Sequence, residues 1–221
     1  MLFRACIFDL DGVIVDTAKY HFLAWKRLAD QLGIAFTERD NERLKGVSRM
    51  DSLEIILDLG KSKLDNSKKN EYAALKNKWY VGYIEKMTPD EILPGCLDFL
   101  HELRKAKIKI AVGSASKNTP MILERVGIRE LFDAVADGNN VSKAKPNPEV
   151  FLKAAGMLGV DPDRCVVFED AVAGIQAAIN AGMFAIGVGL PEVLTEADLV
   201  ISGLHEMNLE KLNKIERDIR I

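Results

Sequence analysis

The sequence predicts an α/β protein, in which a doubly wound, Rossmann-like parallel sheet forms the core and an all-helical cap is inserted after the first strand. Two observations carry this prediction. Short, almost continuously apolar runs alternate with helical patterns over most of the chain, which is typical of parallel strands covered on both faces. The stretch from residue 16 to residue 87 breaks this alternation, because it contains helical patterns and no run that resembles a strand.

Strands are predicted for the short apolar runs, which span residues 2–8, 108–112, 134–136, 165–168, 184–188 and 199–201. Helix boundaries between them are marked by individual residues. Asn118 precedes a Thr-Pro pair, as expected of a helix N-cap with proline in the first turn. Gly127 stands at the end of this helical pattern and Gly182 at the end of a later one, which is typical of glycine just after a helix.

The insert has helical spacing in three segments, 16–32, 49–59 and 67–84. We therefore predict a catalytic α/β core made of residues 1–15 and 88–221, and a helical cap made of residues 16–87. Polar joints at both ends of the insert are plausible hinges between the two parts.

Composition excludes several classes of protein. The 221 residues carry 30 Lys and Arg against 33 Asp and Glu, so there is no overall basic field that would attract nucleic acid. No apolar run approaches the roughly 20 residues that cross a membrane. The 3 cysteines form an odd set without CxxC spacing, which favours buried free thiols in a reducing compartment. We expect a cytoplasmic monomer whose partners are small molecules.

Polar side chains follow several of the predicted strands. In an open parallel sheet, ligands bind in the crevice outside the carboxyl ends of the strands, so side chains delivered there by different strands should meet. The loop before Asn147 adds the ammonium group of Lys145. The side chains expected at this edge are those of Asp9, Asp11, Ser114, Lys145, Glu169 and Asp170.

This set of groups points to phosphoryl transfer. Oxygen ligands without a nearby histidine suit Mg²⁺ better than zinc, and a bound cation would stabilise the ionised forms of neighbouring carboxylates such as Asp9 and Asp11. Ser114 and Lys145 are suited to hold a phosphoryl group. A carboxylate nucleophile beside Mg²⁺ and a phosphate clamp is a constellation for phosphoryl transfer.

Each motif also has an ordinary structural explanation. Asp-x-Asp-Gly after a strand is most often a turn, Glu169-Asp170 fits the start of a helix, and Lys145 fits a solvated surface charge. Chance alone would seldom bring all of them to the same edge of one sheet. Their combination therefore favours a functional site.

Four segments carry a family resemblance: FDLDG at 8–12, SA at 114–115, KP at 145–146 and ED at 169–170. In this order they resemble the four signature motifs of the haloacid dehalogenase superfamily of phosphotransferases. Three longer segments, DTAKYHFLAW at 16–25, LKGVSRMDSL at 44–53 and SASKN at 114–118, are similar to motifs of its β-phosphoglucomutase family. That family interconverts β-D-glucose 1-phosphate and glucose 6-phosphate.

The resemblance implies roles for the strand-end residues. Asp9 would be the nucleophile that becomes an aspartyl phosphate, and Asp11 the general acid and base. Mg²⁺ would be bound by Asp9, the main-chain carbonyl of Asp11, Glu169 and Asp170. Glucose 1,6-bisphosphate would serve as the activating phosphoryl donor, and its β anomer would be the intermediate.

The resemblance also assigns residues of the cap. Arg49, helped by Ser116 and Asn118, would hold the second phosphate group of the intermediate; without the motif, Arg49 would read as a solvated arginine. Thr17 and His21 would join Lys76 in linking cap closure to the placement of the acid and base, although a lone histidine is more often a packing residue. The other implied binding residues are Trp25, Lys45, Gly46, Val47, Ser48, Ser52, Ala115 and Lys145.

Two departures and two competing functions remain. Ala144 stands where the wider superfamily has serine or glycine, and Gly113 stands where close relatives have alanine.

A phosphatase of the same fold would hydrolyse the aspartyl phosphate; Arg49 and the Thr17-His21 pair favour the mutase over it. A non-enzymatic receiver module would carry its phosphoacceptor on a later strand and would leave the helical insert unexplained.

Overall fold

The computed structural model describes residues 3–44 and 47–219. Within them, six parallel strands form one sheet in the order β3-β2-β1-β4-β5-β6. The central strand β1 pairs with β2 on one side and with β4 on the other, so the chain winds outwards in both directions from β1. The predicted doubly wound fold class is confirmed. The strands are β1 (Ala5–Phe8), β2 (Lys109–Gly113), β3 (Ala134–Ala136), β4 (Cys165–Glu169), β5 (Phe184–Val188) and β6 (Leu199–Ile201).

The middle of the sheet is fixed by apolar packing on both faces. All four residues of β1 are fully buried, because one apolar layer lies on each side of the sheet. Phe8 stacks on Phe168 of β4 with ring centroids 4.7 Å apart, and Phe99 packs edge-on against both rings. The ends of β1 and β4 are therefore held side by side, and both carry carboxylates.

Helices cover the two faces of the sheet. They are α5 (Cys96–Lys105), α6 (Thr119–Arg125), α7 (Glu149–Leu158), α8 (Val172–Asn180) and α9 (Leu209–Ile219). Gly127 and Gly182 follow α6 and α8 with φ of 75° and 71°, a conformation that favours glycine, as their positions in the sequence predicted.

The insert after β1 is helical, and its helices are called the cap below. They are α1 (Ala18–Gln31), α2 (Glu38–Glu42), α3 (Arg49–Leu59) and α4 (Asn66–Ile84). The cap has its own apolar core, which includes Trp25, Leu53 and Ile56. The helical spacing of the sequence did not predict α2, because its five residues are too few for a periodic pattern; Thr37 and Asp40 start it with a reciprocal capping box.

Two connections run side by side between the cap and the sheet. Val15, before α1, bridges to Ile92, and Leu93 N–H donates to the carbonyl of Ile14 at 2.9 Å. The Glu91 carboxylate accepts from Lys19 and from the Tyr20 hydroxyl, both at 2.6 Å. The exact limits of the two predicted domains stay a prediction.

Two expectations about class can be compared with the described residues. Among them, no helix combines the length and the apolar character needed to cross a membrane. Cys6, Cys96 and Cys165 are buried free thiols, as the sequence indicated.

Gly174 allows α8 to lie very close to the end of β4. A Cβ atom at this position would overlap the carboxylate of Glu169, which is 1% exposed and accepts from the N–H of Ala171 at 3.0 Å. Gly156 of α7 is also helical, but a Cβ atom there would meet nothing within 4 Å. The two glycines therefore form a matched pair with opposite surroundings.

Gly156→Ala should raise the free energy of unfolding by about 0.5–1 kcal/mol, because alanine loses less backbone entropy in a helix. Gly174→Ala should lower it by about 1–3 kcal/mol, because the added methyl group overpacks a buried site. Urea unfolding of both variants checks the prediction. An equal change in the two would contradict the close approach of α8 to Glu169.

Candidate active site

The ends of the central strands bring an ammonium group between two carboxylates. Lys145 Nζ lies 2.5 Å from Asp9 Oδ1 and 2.7 Å from Glu169 Oε2, and all three side chains are buried. The second oxygen of Asp9 accepts from the N–H of Asp11 at 2.9 Å. The structure thus brings together the residues that the sequence placed at one edge of the sheet.

The carboxylates at this edge fit a hard divalent cation. Ligand oxygens of Asp9, Glu169 and Asp170 all lie within 4.8 Å of one another. Burial, together with the charges of Asp9 and Asp170, raises the pKa of Glu169 to about 8, although Lys145 opposes the rise. A nearby cation would stabilise the ionised form of Glu169, which burial disfavours. A set of ligands made only of oxygen atoms suits Mg²⁺.

Lys145 is held in place from two sides. Burial by itself would lower the pKa of Lys145, but contact with Asp9 and Glu169 raises it above its usual value, so the side chain stays charged. Its Nζ also lies 4.8 Å from the centroid of the Phe151 ring. A Cβ atom on Gly113 would lie 2.8 Å from that ring, so the absence of a side chain at position 113 makes room for Phe151.

The loop that carries Lys145 is fastened at its base by Glu149, the first residue of α7. The Glu149 carboxylate accepts from the N–H of Ser142 at 3.1 Å, from the Ser142 hydroxyl at 3.0 Å and from the N–H of Lys143 at 2.7 Å. These bonds hold the pKa of Glu149 below its usual value. The sequence did not single out Glu149.

Asp11 is contacted from the cap by Thr17. Thr17 occupies the N-cap position of α1 but makes no side-chain hydrogen bond to the helix; its hydroxyl donates to Asp11 Oδ1 instead. Burial and the neighbouring Asp9 charge raise the pKa of Asp11 to about 6, against the opposing effects of Thr17, Lys145 and Lys76. A carboxyl group with this pKa exchanges its proton near neutral pH.

The buried Lys76 of α4 lies against the half-buried His21 of α1. Lys76 Nζ lies 3.1 Å from His21 Nδ1 and 4.5 Å from the centroid of the Trp25 ring. Burial, with a contribution from Arg49, lowers the pKa of Lys76 to about 7. Burial, with Lys76 and Arg49, holds the pKa of His21 well below its usual value. The sequence analysis associated these residues through the resemblance, and the structure places them in contact.

A cavity of about 1460 Å³ lies between the cap and the carboxyl edge of the sheet. Glu169 lies behind its wall, with its oxygens turned towards Lys145 and Ala171. Lys45 and Gly46 lie outside the described residues. The other predicted site residues line the cavity: Asp9, Asp11, Thr17, His21, Trp25, Val47, Ser48, Arg49, Ser52, Lys76, Ser114, Ala115, Ser116, Asn118, Lys145 and Asp170.

The loop after β2 is ordered by a short series of hydrogen bonds. The N–H of Ser116 donates to the Ser114 hydroxyl oxygen, and the N–H of Asn118 donates to the Ser116 hydroxyl oxygen, both at 3.2 Å. Asn118 holds the N-cap position of α6, as predicted, but its side chain does not cap the helix. Its Nδ2 instead donates to Asn77 Oδ1 of the cap at 3.2 Å, because this loop faces α4 across the cavity.

Sequence reasoning missed several cavity residues on α4, among them Asn77 and Tyr80. The Tyr80 ring lies 4.2 Å from the His21 ring, and Lys76 Nζ lies 4.6 Å from the Tyr80 centroid. The spacing of Lys76 and Tyr80 on one helix face was an available signal. Asn77 had none, because its partner is 41 residues away in the sequence.

Comparisons with known proteins agree over almost the whole chain. A Bacillus subtilis protein named β-phosphoglucomutase is 47% identical over 220 residues, which cover 99% of this chain and 97% of the relative. A crystal structure of β-phosphoglucomutase from Clostridium difficile has a TM-score of 0.94 and 42% identity, and the match covers 98% of each chain. A more distant relative, at 32% identity over 81% of this chain and 82% of its own length, is a phosphorylated carbohydrates phosphatase of Thermotoga maritima.

A family model supports the same placement. The model of haloacid dehalogenase-like hydrolases matches residues 3–182, which include the first strand, the helical insert and the strand ends that form the cavity. The resemblance found in the sequence is thus confirmed. The chain belongs to the haloacid dehalogenase-like family.

Proposed function

We propose that the chain is a phosphomutase that interconverts β-D-glucose 1-phosphate and glucose 6-phosphate. The observation that carries this proposal is that groups of the sheet edge and of the cap line the same cavity. Asp9, Asp11 and Lys145 come from the sheet edge, and Thr17 and Arg49 come from the insert. Similarity to β-phosphoglucomutases over nearly the full chain supports the same reaction. The alternative of a sugar-phosphate phosphatase is not favoured.

Two carboxylates divide the chemistry. A carboxylate oxygen of Asp9 attacks phosphorus, so that an O–P bond forms on Asp9 while the bond from phosphorus to the sugar oxygen breaks. The carboxyl group of Asp11 gives its proton to that leaving oxygen. In the half-reaction that comes before this attack, Asp11 takes the proton of the 6-hydroxyl of β-glucose 1-phosphate, and that hydroxyl oxygen attacks the aspartyl phosphate, so that the bond to Asp9 breaks and the bisphosphate forms. The bisphosphate turns round in the cavity, Asp9 attacks the phosphorus at C1, and glucose 6-phosphate leaves while Asp9 is phosphorylated again.

The other strand-end groups stabilise charge. Lys145 and the Ser114 hydroxyl, which both line the cavity, would hold equatorial oxygens of the transferring group. Bound by Asp9, Glu169, Asp170 and the main-chain carbonyl of Asp11, Mg²⁺ would neutralise charge on the carboxylates and the phosphoryl group. Glucose 1,6-bisphosphate would supply the first phosphoryl group to Asp9.

A mutase must bind the phosphate group that is not being transferred. Arg49, Ser116 and Asn118, which line the cavity, are proposed to bind it, and the part of the cavity that they form is here called the distal subsite. Thr17 connects the cap to Asp11 directly, so that closing the cap also positions the acid and base.

The remaining expectations complete the proposal. The cap would comprise residues 16–87 and the core residues 1–15 and 88–221, with the polar joints at 16–17 and 88–90 as hinges. A cytoplasmic monomer that binds neither nucleic acid nor membranes stays the expectation from the sequence.

The proposed reaction is tested with β-glucose 1-phosphate, Mg²⁺ and a trace of glucose 1,6-bisphosphate. Glucose 6-phosphate should form, and Asp9→Asn should reduce its rate by on the order of 10⁴-fold or more, because the variant lacks a nucleophile. Asp58→Asn, an exposed carboxylate on α3, is the matched control. Release of inorganic phosphate without glucose 6-phosphate would establish the phosphatase instead.

Arg49→Ala should raise the KM for β-glucose 1-phosphate by about 10–100-fold, because the charged hydrogen bonds to the distal phosphate are lost. Hydrolysis of acetyl phosphate, which has no second phosphate group, should change far less. Arg39→Ala, an exposed arginine of α2, is the control. Equal losses with both substrates would contradict the role of Arg49.

Lys76 should make stability depend on pH. Its pKa is about 7 in the folded chain against 10.5 for a free lysine, so the unfolded chain binds more protons between these values and the free energy of unfolding rises with pH there. Lys76→Met should therefore stabilise the protein more at about pH 6.5 than at about pH 9.5, by about 2 to 4 kcal/mol.

Urea unfolding at the two pH values measures this difference. Lys78→Met, an exposed lysine on the same helix, is the control and should show no such dependence. Identical pH profiles for the two variants would show that burial does not lower the pKa of Lys76.

A further inference from the structure

The hydrogen bond between Asn77 and Asn118 joins the cap to the core across the cavity. Asn118 Nδ2 donates to Asn77 Oδ1 at 3.2 Å, and both side chains are half-buried. Asn77 directly follows Lys76 on α4, whereas Asn118 precedes α6. The bond therefore connects the helix that carries the buried lysine to the loop proposed to bind the distal phosphate.

Asn118 is diverted from the bond that its position favours. An asparagine at an N-cap commonly accepts a hydrogen bond from a backbone N–H of the first turn. Here the second residue of α6 is Pro120, which has no N–H, and the Asn118 side chain makes no bond to the helix. Because Pro120 offers no N–H to accept from, the Asn118 carboxamide has less to gain from capping α6 and is available to Asn77.

The contact also fixes which atoms of Asn118 face a ligand. The carboxamide nitrogen has two N–H groups, and a carboxamide oxygen would repel a phosphate. With Asn77 Oδ1 accepting one N–H, the second can donate to an anion in the cavity. The backbone N–H of Asn118 is bonded to the Ser116 hydroxyl oxygen, so the loop itself is already ordered.

We infer that Asn77 is a positioning residue of the distal subsite, which holds the Asn118 carboxamide with its N–H groups towards the phosphate of a hexose phosphate. Without Asn77, the carboxamide is free to rotate and to turn its oxygen towards the start of α6 or the ligand. This inference rests on the proposed function for the identity of the ligand.

The test compares Asn77→Ala with wild type in two assays: mutase kinetics, and binding of glucose 6-phosphate measured by calorimetry. Asn77→Ala should raise both KM and Kd by about tenfold, the loss of one hydrogen bond to a charged group, with a smaller change in kcat. The effect on acetyl phosphate hydrolysis should be several-fold smaller. Asn66→Ala, an exposed asparagine on the same helix, is the control.

The double variant Asn77→Ala/Asn118→Ala separates positioning from a general effect on the cap. If Asn77 acts through Asn118, its substitution should add less than twofold when Asn118 is already alanine. Additive effects, an unchanged KM and Kd, or an equal loss with acetyl phosphate would each overturn the inference. The two proposals can fail separately. If Asn77→Ala weakens the binding of glucose 6-phosphate but the wild type forms no glucose 6-phosphate from β-glucose 1-phosphate, the proposed reaction is refuted and this inference stands.

Discussion

The contact of Lys145 with Asp9 and Glu169 is the interaction on which the site depends. Three carboxylates converge at the ends of β1 and β4 because the packing of Phe8 on Phe168 keeps these strands adjacent, and burial raises the pKa of Glu169 among them. The ammonium group supplies positive charge at their centre. Residues that hold Lys145, such as Glu149 at the base of its loop, therefore act on the electrostatics of the whole site.

Two residues at helix N-caps link the halves of the molecule. Thr17 and Asn118 both stand where their side chains would ordinarily cap a helix, and neither does. Thr17 bonds Asp11, from the cap to the core, and Asn118 bonds Asn77, from the core to the cap. Each helix forgoes a local bond of about 1 kcal/mol so that the cavity gains a contact between its two walls.

The sequence predicted the sheet and the residues at its edge because strand periodicity and the position of polar residues after strands are local signals. It missed α2, whose five residues are too few for periodicity, and it predicted the N-cap position of Asn118 but not the bond of its side chain to Asn77. Contacts such as Lys76 with His21 came from resemblance rather than from pattern, since 55 residues separate them. Pairings across the cavity depend on how the cap lies over the sheet, and no local pattern encodes that.

Gly113 and Phe151 share one small space beside the active-site lysine. The ring of Phe151 lies under Lys145 and occupies the space that a methyl group at position 113 would fill. The two positions are thus coupled by volume, so that alanine at 113 requires a smaller or displaced side chain at 151.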